Sequence, residues 1–234
     1  MRDSFYKIKY LVDKGFKIDK IIYFFDISDI QDESYHLKNL IKSNQINEQE
    51  ETKSNQINLK IEEKINKKYL KKLIRKNFSL TYNLLTNIKY FNLPKPVYRY
   101  HYNYQRSAWT YNENNKGYEP LGVNKSIESF IAVLEDFYTF AYDNNIPFGL
   151  AIIPWPNQIL YDSENSKHVQ ISSTFCKSKC SNYINLYPDF FGYSKSIGKK
   201  KTIKKLYLDG DMHLSNFGHD ITAKKIISSL NDPN

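Results

Sequence analysis

Leu206-Tyr-Leu-Asp-Gly-Asp-Met-His-Leu-Ser-Asn-Phe-Gly-His219 is the stretch that makes the rest of the chain readable. Its apolar triplet, Leu206 to Leu208, reads as the end of a buried strand, with Asp211 and His213 close behind. Ser215 and Asn216 are helix-start residues. Ala223, Ile226, Ile227 and Leu230 then recur at helical spacing, which predicts an amphipathic helix with one apolar face. An Asp and a His just past a strand's carboxyl end stand where open α/β sheets keep their chemistry. The carboxylate can orient the imidazole and stabilise its charged form, and the ring can act as a general base. The competing reading of the pair is two solvated loop residues and a helix cap.

Strand and helix signals alternate along the chain. Residues 4–14 carry Phe5, Ile8, Leu11 and Val12 on one helical face, with Gly15 as the stop. Ile21-Ile-Tyr-Phe-Phe25 is a continuous apolar run, the pattern of a strand buried on both faces. It breaks into Asp26-Ile-Ser28-Asp29-Ile-Gln-Asp32-Glu33, four carboxylates at a strand's end. Ser28 and Asp29 serve there as helix caps or as site residues. Residues 124–143 form the clearest helix, through Ile127, Phe130, Ile131, Leu134, Phe137, Tyr138 and Ala141. Phe148 to Ile153 is a second buried strand ending in Pro154-Trp155-Pro156, which predicts a rigid, partly exposed tryptophan. Tyr183 to Leu186 is a third strand, and the run before Asp209 a fourth. Such alternation predicts a mainly parallel sheet with helices on both faces.

Between these signals lies a polar excursion at about 42–68, in which Lys-Ser-Asn-Gln-Ile-Asn occurs at 42–47 and again at 53–58. It reads as a surface insert in one domain spanning 1–234. Helical periodicity returns from Tyr69 to the Pro94-Lys-Pro96 break. Residues 97–121 are rich in Tyr, with Trp109, Arg99 and Arg106 among them, and suit either an irregular packing loop or a surface for sugar rings.

Composition removes several function classes. The 234 residues are 41% hydrophobic and 15% aromatic, enough to build a core. Lys and Arg number 34 against 25 Asp and Glu, a formal net charge of +9. The lysines are scattered, however, and no nucleic-acid motif accompanies them, so a nucleic-acid partner is not expected. No apolar run approaches the roughly 20 residues needed to span a bilayer, and Met-Arg-Asp-Ser-Phe-Tyr-Lys has no signal-peptide core; the compartment is left open. Cys176 and Cys180 have the spacing of half a zinc site, but no second ligand pair follows and His168 stands alone. Two thiols or one bridge is the simpler expectation, and neither a metal nor another cofactor is expected.

Four segments in order carry a resemblance. They are I-I-Y-F-F-D-I-S-D-I-Q-D-E (21–33), R-S-A-W-T (106–110), I-I-P-W-P-N-Q-I (152–159) and D-M-H-L-S-N-F-G (211–218). Together they resemble the SGNH (GDSL-like) hydrolase superfamily, in particular a bacterial branch of SGNH-like proteins. The resemblance implies a flavodoxin-like three-layer α/β/α fold and Ser-His-Asp chemistry on esters. The D-x-H spacing is similar to that of the alginate O-acetyltransferase side of the superfamily. His213 would be the base and Asp211 its orienting carboxylate, with Ser28 and Asp29 at the place of the block that usually reads Gly-x-Asn-Asp. Ser28 then stands where an oxyanion-hole Asn is usual. Trp155 joins Ser28 and Asp29 as a substrate-binding candidate.

The resemblance also implies a front block, a strand ending in Gly-Asp-Ser that supplies the nucleophile, and this chain departs from it. Arg2-Asp3-Ser4 imitates that block, yet no strand precedes it, so the first strand and its serine are expected to be missing. The expected function is an esterase or O-acyltransferase domain acting on an acylated small molecule or polysaccharide, inactive if no nucleophile is supplied. The alternatives are a non-catalytic carbohydrate-binding domain holding a sugar on its aromatic residues, or a truncated gene fragment.

Overall fold

The computed structural model describes residues 1–50 and 105–231, with side chains only to residue 40 in the first stretch. The chain divides into two compact units, 1–36 with 99–234, and 37–98. Of the second, only the helix up to Glu50 is described, with side chains to residue 40. The rest of the 42–68 insert, the helix expected from Tyr69 and the tyrosines before Gln105 lie outside the described residues.

The first unit is α/β. Helix α1 (Arg2–Asp13) leads to strand β1 (Ile21–Phe25), and α2 (Asp29–Glu50) follows. Two short 3-10 turns, Ala108–Thr110 and Lys116–Tyr118, precede α3 (Gly122–Asp143). Then come β2 (Phe148–Ile152), α4 (Pro156–Tyr161), α5 (Lys167–Lys179) and β3 (Asn182–Asn185). The chain continues through α6 (Tyr187–Ile197), α7 (Lys199–Leu206) and α8 (Asn216–Asn231). The strands form one parallel sheet in the order β1-β2-β3, with Ile21 opposite Phe148 and Gly149 opposite Asn182. This architecture is compatible with a three-layer α/β/α arrangement. No helix among the described residues is long and apolar enough to cross a membrane.

The apolar periodicity of α3 sets the main core. Phe130, Leu134 and Phe137 are fully buried, and burying such side chains contributes roughly 2 kcal/mol each. Phe130 stacks on Phe25 with ring centroids 4.2 Å apart, and Phe137 meets Tyr23 edge-on at 5.9 Å. Side chains alternate along a strand, so Tyr23 and Phe25 face α3 while Phe24 points to the opposite face. A second cluster (Ile159, Leu186, Phe190, Ile203, Leu206 and Tyr207) gathers α4, α6 and α7.

Three expectations are corrected here. The triplet Leu206 to Leu208 is not a strand of the sheet. Thr202, Ile203 and Leu206 are the buried stripe of α7, so Leu206 completes a helix. Tyr207 makes only an isolated antiparallel bridge with Leu214, and Leu208 is exposed. Nor is β1 buried on both faces: Phe24, on the face away from α3, is 41% exposed where it opens on a cavity. Finally, α8 does not bury Ala223, Ile226, Ile227 and Leu230. Its buried residues are Gly218 and Thr222, whose small side chains let it lie close to α7, which leaves Ile227 58% exposed.

Cys176 and Cys180 form a disulfide across the last turn of α5, so neither sulfur is free to hold a metal. The crosslink closes a loop of sequence separation only 4. A loop that short removes little entropy from the unfolded chain, and replacing both residues by Ser is expected to cost no more than about 2 kcal/mol. Urea titration of the double variant beside the wild type measures that cost.

Candidate functional site

Asp26, the first residue after β1, organises the sheet's carboxyl end. Its Oδ1 accepts hydrogen bonds from the Ser28 backbone N–H at 2.9 Å and from Ser28 Oγ at 2.5 Å. Its Oδ2 accepts from the Trp155 indole N–H at 3.1 Å. One carboxylate therefore ties the turn after β1 to the turn after β2. Trp155 is only 4% exposed, not the partly exposed ring expected between two prolines, because its N–H has this buried-side partner. Gln158 Oε1 accepts from the Trp155 backbone N–H at 3.2 Å and so caps the start of α4.

The other three acidic residues after β1 are engaged by partners within the protein. Asp29 is buried and accepts from Tyr23 Oη at 2.7 Å, from the Asp26 N–H at 2.8 Å and from the Met1 ammonium at 3.3 Å. Burial pushes its carboxyl up to about 6, against the opposing pull of the ammonium and the tyrosine hydroxyl. Asp32 pairs with Arg106 at 2.7 Å, and Glu33 with Arg2 at 3.0 Å.

Asp211 and His213 sit in a tight loop between α7 and α8. The loop is closed by Leu208 N–H donating to His213 C=O and Ser215 N–H donating to Leu206 C=O, each at 2.9 Å. Gly210 supplies the positive φ of 68° that turns the chain. Ser215 caps α8, its Oγ accepting from the Gly218 N–H at 3.1 Å, as the start signal predicts. His213 Nδ1 lies 2.9 Å from Asp211 Oδ1. An ionised carboxylate only accepts, so Nδ1 carries the proton and the Nε2 lone pair is left for proton transfer. Burial alone would raise Asp211; hydrogen bonds from His213 and the Met212 N–H hold its carboxyl below the usual value. The His213 side chain is 69% exposed, so solvent and ligand both reach it.

These groups meet at one cavity of about 560 Å³. Phe24, Asp26 and Ser28 line it from the end of β1, and Ile153, Pro154 and Trp155 from the end of β2. Met212, His213 and Leu214 come from the loop, and His219, Thr222, Ala223 and Ile226 from α8. Of the five expected site residues, Ser28, Trp155 and His213 line the cavity. Asp211 stands behind His213, and Asp29 is held behind the turn. Ser4 is on the exposed side of α1 and does not line it. Among the described residues, Ser28 is the one serine that does, and it stands in a strand-turn-helix setting between β1 and α2. Asp26 was visible in the sequence only as the first carboxylate after a strand; its two-sided role is non-local.

Hydrogen bonds join three of the four sequence segments, and the fourth meets them at the cavity through Met212, His213 and Leu214. Trp109 Nε1 donates to Ile27 C=O at 2.8 Å, Asn157 Nδ2 to Ser107 Oγ at 3.1 Å, and Gln158 Nε2 to Ser107 C=O at 2.9 Å. Tyr207 Oη, one residue past α7, donates to Pro154 C=O at 2.6 Å. Among the described residues no cluster of three His, Cys, Asp or Glu is placed to hold a metal. Comparison with protein-family models, curated proteins and solved structures finds no match.

Proposed function

We propose that this chain is an SGNH-type esterase or O-acyltransferase domain. The observation that supports the reading best is the Asp211–His213 pair, with Nε2 left basic, on the same cavity as Ser28 at the carboxyl ends of β1 and β2. In the reaction a serine hydroxyl attacks the ester carbonyl and His213 Nε2 takes its proton. The tetrahedral intermediate collapses, His213 returns the proton to the departing alkoxide, and an acyl-serine remains. Water or an acceptor hydroxyl repeats the sequence to release the acyl group. Asp211 holds the imidazole in the required tautomer and stabilises the imidazolium. The rival, a sugar-binding domain, has less support, because Trp109 is fully buried and Trp155, although it lines the cavity, is only 4% exposed.

The test is p-nitrophenyl acetate turnover by the wild type and by His213→Ala and Ser28→Ala. General base catalysis contributes at least about 100-fold, so His213→Ala is expected to lose that much. An equal loss in Ser28→Ala identifies Ser28 as the hydroxyl that His213 serves; unchanged turnover there places the nucleophile elsewhere. Absent wild-type turnover of p-nitrophenyl acetate and of its longer-chain homologues alike, or turnover indifferent to His213, defeats the reading.

A further inference from the structure

We propose that the cavity beside His213 binds a medium-length aliphatic acyl chain, of the hexanoyl to octanoyl class, and not an acetyl group or a sugar. The proposal rests on the esterase reading for its chemistry, but its argument is the character of the walls. Phe24, Ile153, Trp155, Met212 and Ile226 present carbon from four separate parts of the fold. Phe24 is 41% exposed, although the run around it is the most apolar in the first fifty residues. An apolar ring left facing water inside a concavity gains from being covered by a ligand's methylenes.

The polar wall groups are mostly spent. Asp26 already accepts from Ser28 and Trp155, and Thr222 Oγ1 donates to Gly218 C=O at 2.9 Å. That leaves His213, His219 and the lone pairs of Ser28 Oγ, whose proton goes to Asp26, a set that suits one ester group. A sugar ring brings hydroxyls on every side, and burying them without partners is unfavourable. The volume, about 560 Å³, is in the range of roughly 300–1,000 Å³ typical of small-molecule sites and far larger than an acetyl group requires.

Two measurements separate this inference from the reading beneath it. The first is calorimetric binding of methyl acetate, methyl hexanoate and methyl octanoate, below micellar concentrations, to the His213→Ala chain. Affinity is expected to rise about fourfold per methylene, the equivalent of about 0.8 kcal/mol, and Ile226→Ser to lower that increment. The second is kcat/KM of the wild type on p-nitrophenyl acetate, hexanoate and octanoate, expected to rise in the same order. Length-dependent binding without turnover upholds the acyl site and removes the esterase reading. Turnover and binding indifferent to chain length overturn the acyl site and leave the esterase reading standing. Binding of an oligosaccharide or an apolar peptide with no binding of the octanoyl ester also overturns it.

Discussion

Gly218→Ala is expected to destabilise the protein by about 3 kcal/mol, the opposite of what alanine does in most helices. Gly218 is in the first turn of α8, and a Cβ built there runs into the Leu206 carbonyl oxygen, far inside van der Waals contact. Leu206 carbonyl carbon and Leu214 Cδ2 lie at 3.2 and 3.1 Å from the same point. The first two obstacles are backbone at the end of α7, so no rotamer change relieves them. The same carbonyl accepts the Ser215 N–H that closes the Asp211–His213 loop. Moving α8 away therefore opens the loop and disturbs His213. Gly192 is the internal control: it lies within α6, nothing stands within 4 Å of its built Cβ, and Ala there is expected to gain about 0.5–1 kcal/mol. Urea midpoints of the two variants should move in opposite directions. A stable, active Gly218→Ala would mean that α8 is not seated on Leu206.

The legible parts of the fold were those where one periodicity had no rival. Ile21 to Phe25, Phe148 to Ile152 and the stripe from Ile127 to Ala141 each had the length and residue types of one element. The triplet at Leu206 did not, because a short apolar run satisfies a strand and the last turn of a helix equally. The spacing of Thr202, Ile203 and Leu206 carried the helical answer, set among the five lysines of 199–205. Hydropathy also misjudged α8, since contact there is made by the absence of a side chain at Gly218 and by a small one at Thr222. For the candidate site, local signals singled out His213, Asp211 and Ser28 on the chain. What joins them is not local. Asp26 bonds Trp155 across 129 residues, and only the assembled sheet shows that Asp26 braces the turn while Asp29 is withdrawn from the cavity.

Replacing His168 by Gln and Asp29 by Asn is expected to give opposite pH dependences of stability between about pH 4 and 6. His168 is fully buried between Phe25 and Tyr187. Its Nε2–H donates to Phe25 C=O at 3.0 Å, and its Nδ1 accepts from Tyr187 Oη at 3.0 Å. Burial, opposed by the bond to Phe25, holds its pKa down at about 3, against an ordinary value near 6.5. Below about pH 6.5 the unfolded chain binds a proton there that the folded chain refuses. Stability present above that pH is thus lost as pH falls toward 3, by up to about 1.4 kcal/mol per pH unit. Asp29 works the other way. Its folded pKa of about 6 lies above an ordinary value near 3.9, so from pH 6 down to 4 the folded state takes up the proton first and stability rises. The two slopes offset each other in the wild type, which is expected to be nearly flat across this window. His168→Gln removes the first slope and should become relatively more stable toward pH 4. It also loses about 1–3 kcal/mol throughout, from hydrogen bonds no longer well made to Phe25 and Tyr187. Asp29→Asn removes the second slope and should become acid-labile, starting near pH 6. Urea titrations at half-unit pH steps read both slopes directly. Parallel curves for the two variants would show that neither buried group titrates as its surroundings dictate, and that the end of β1 is more open to water than this packing allows.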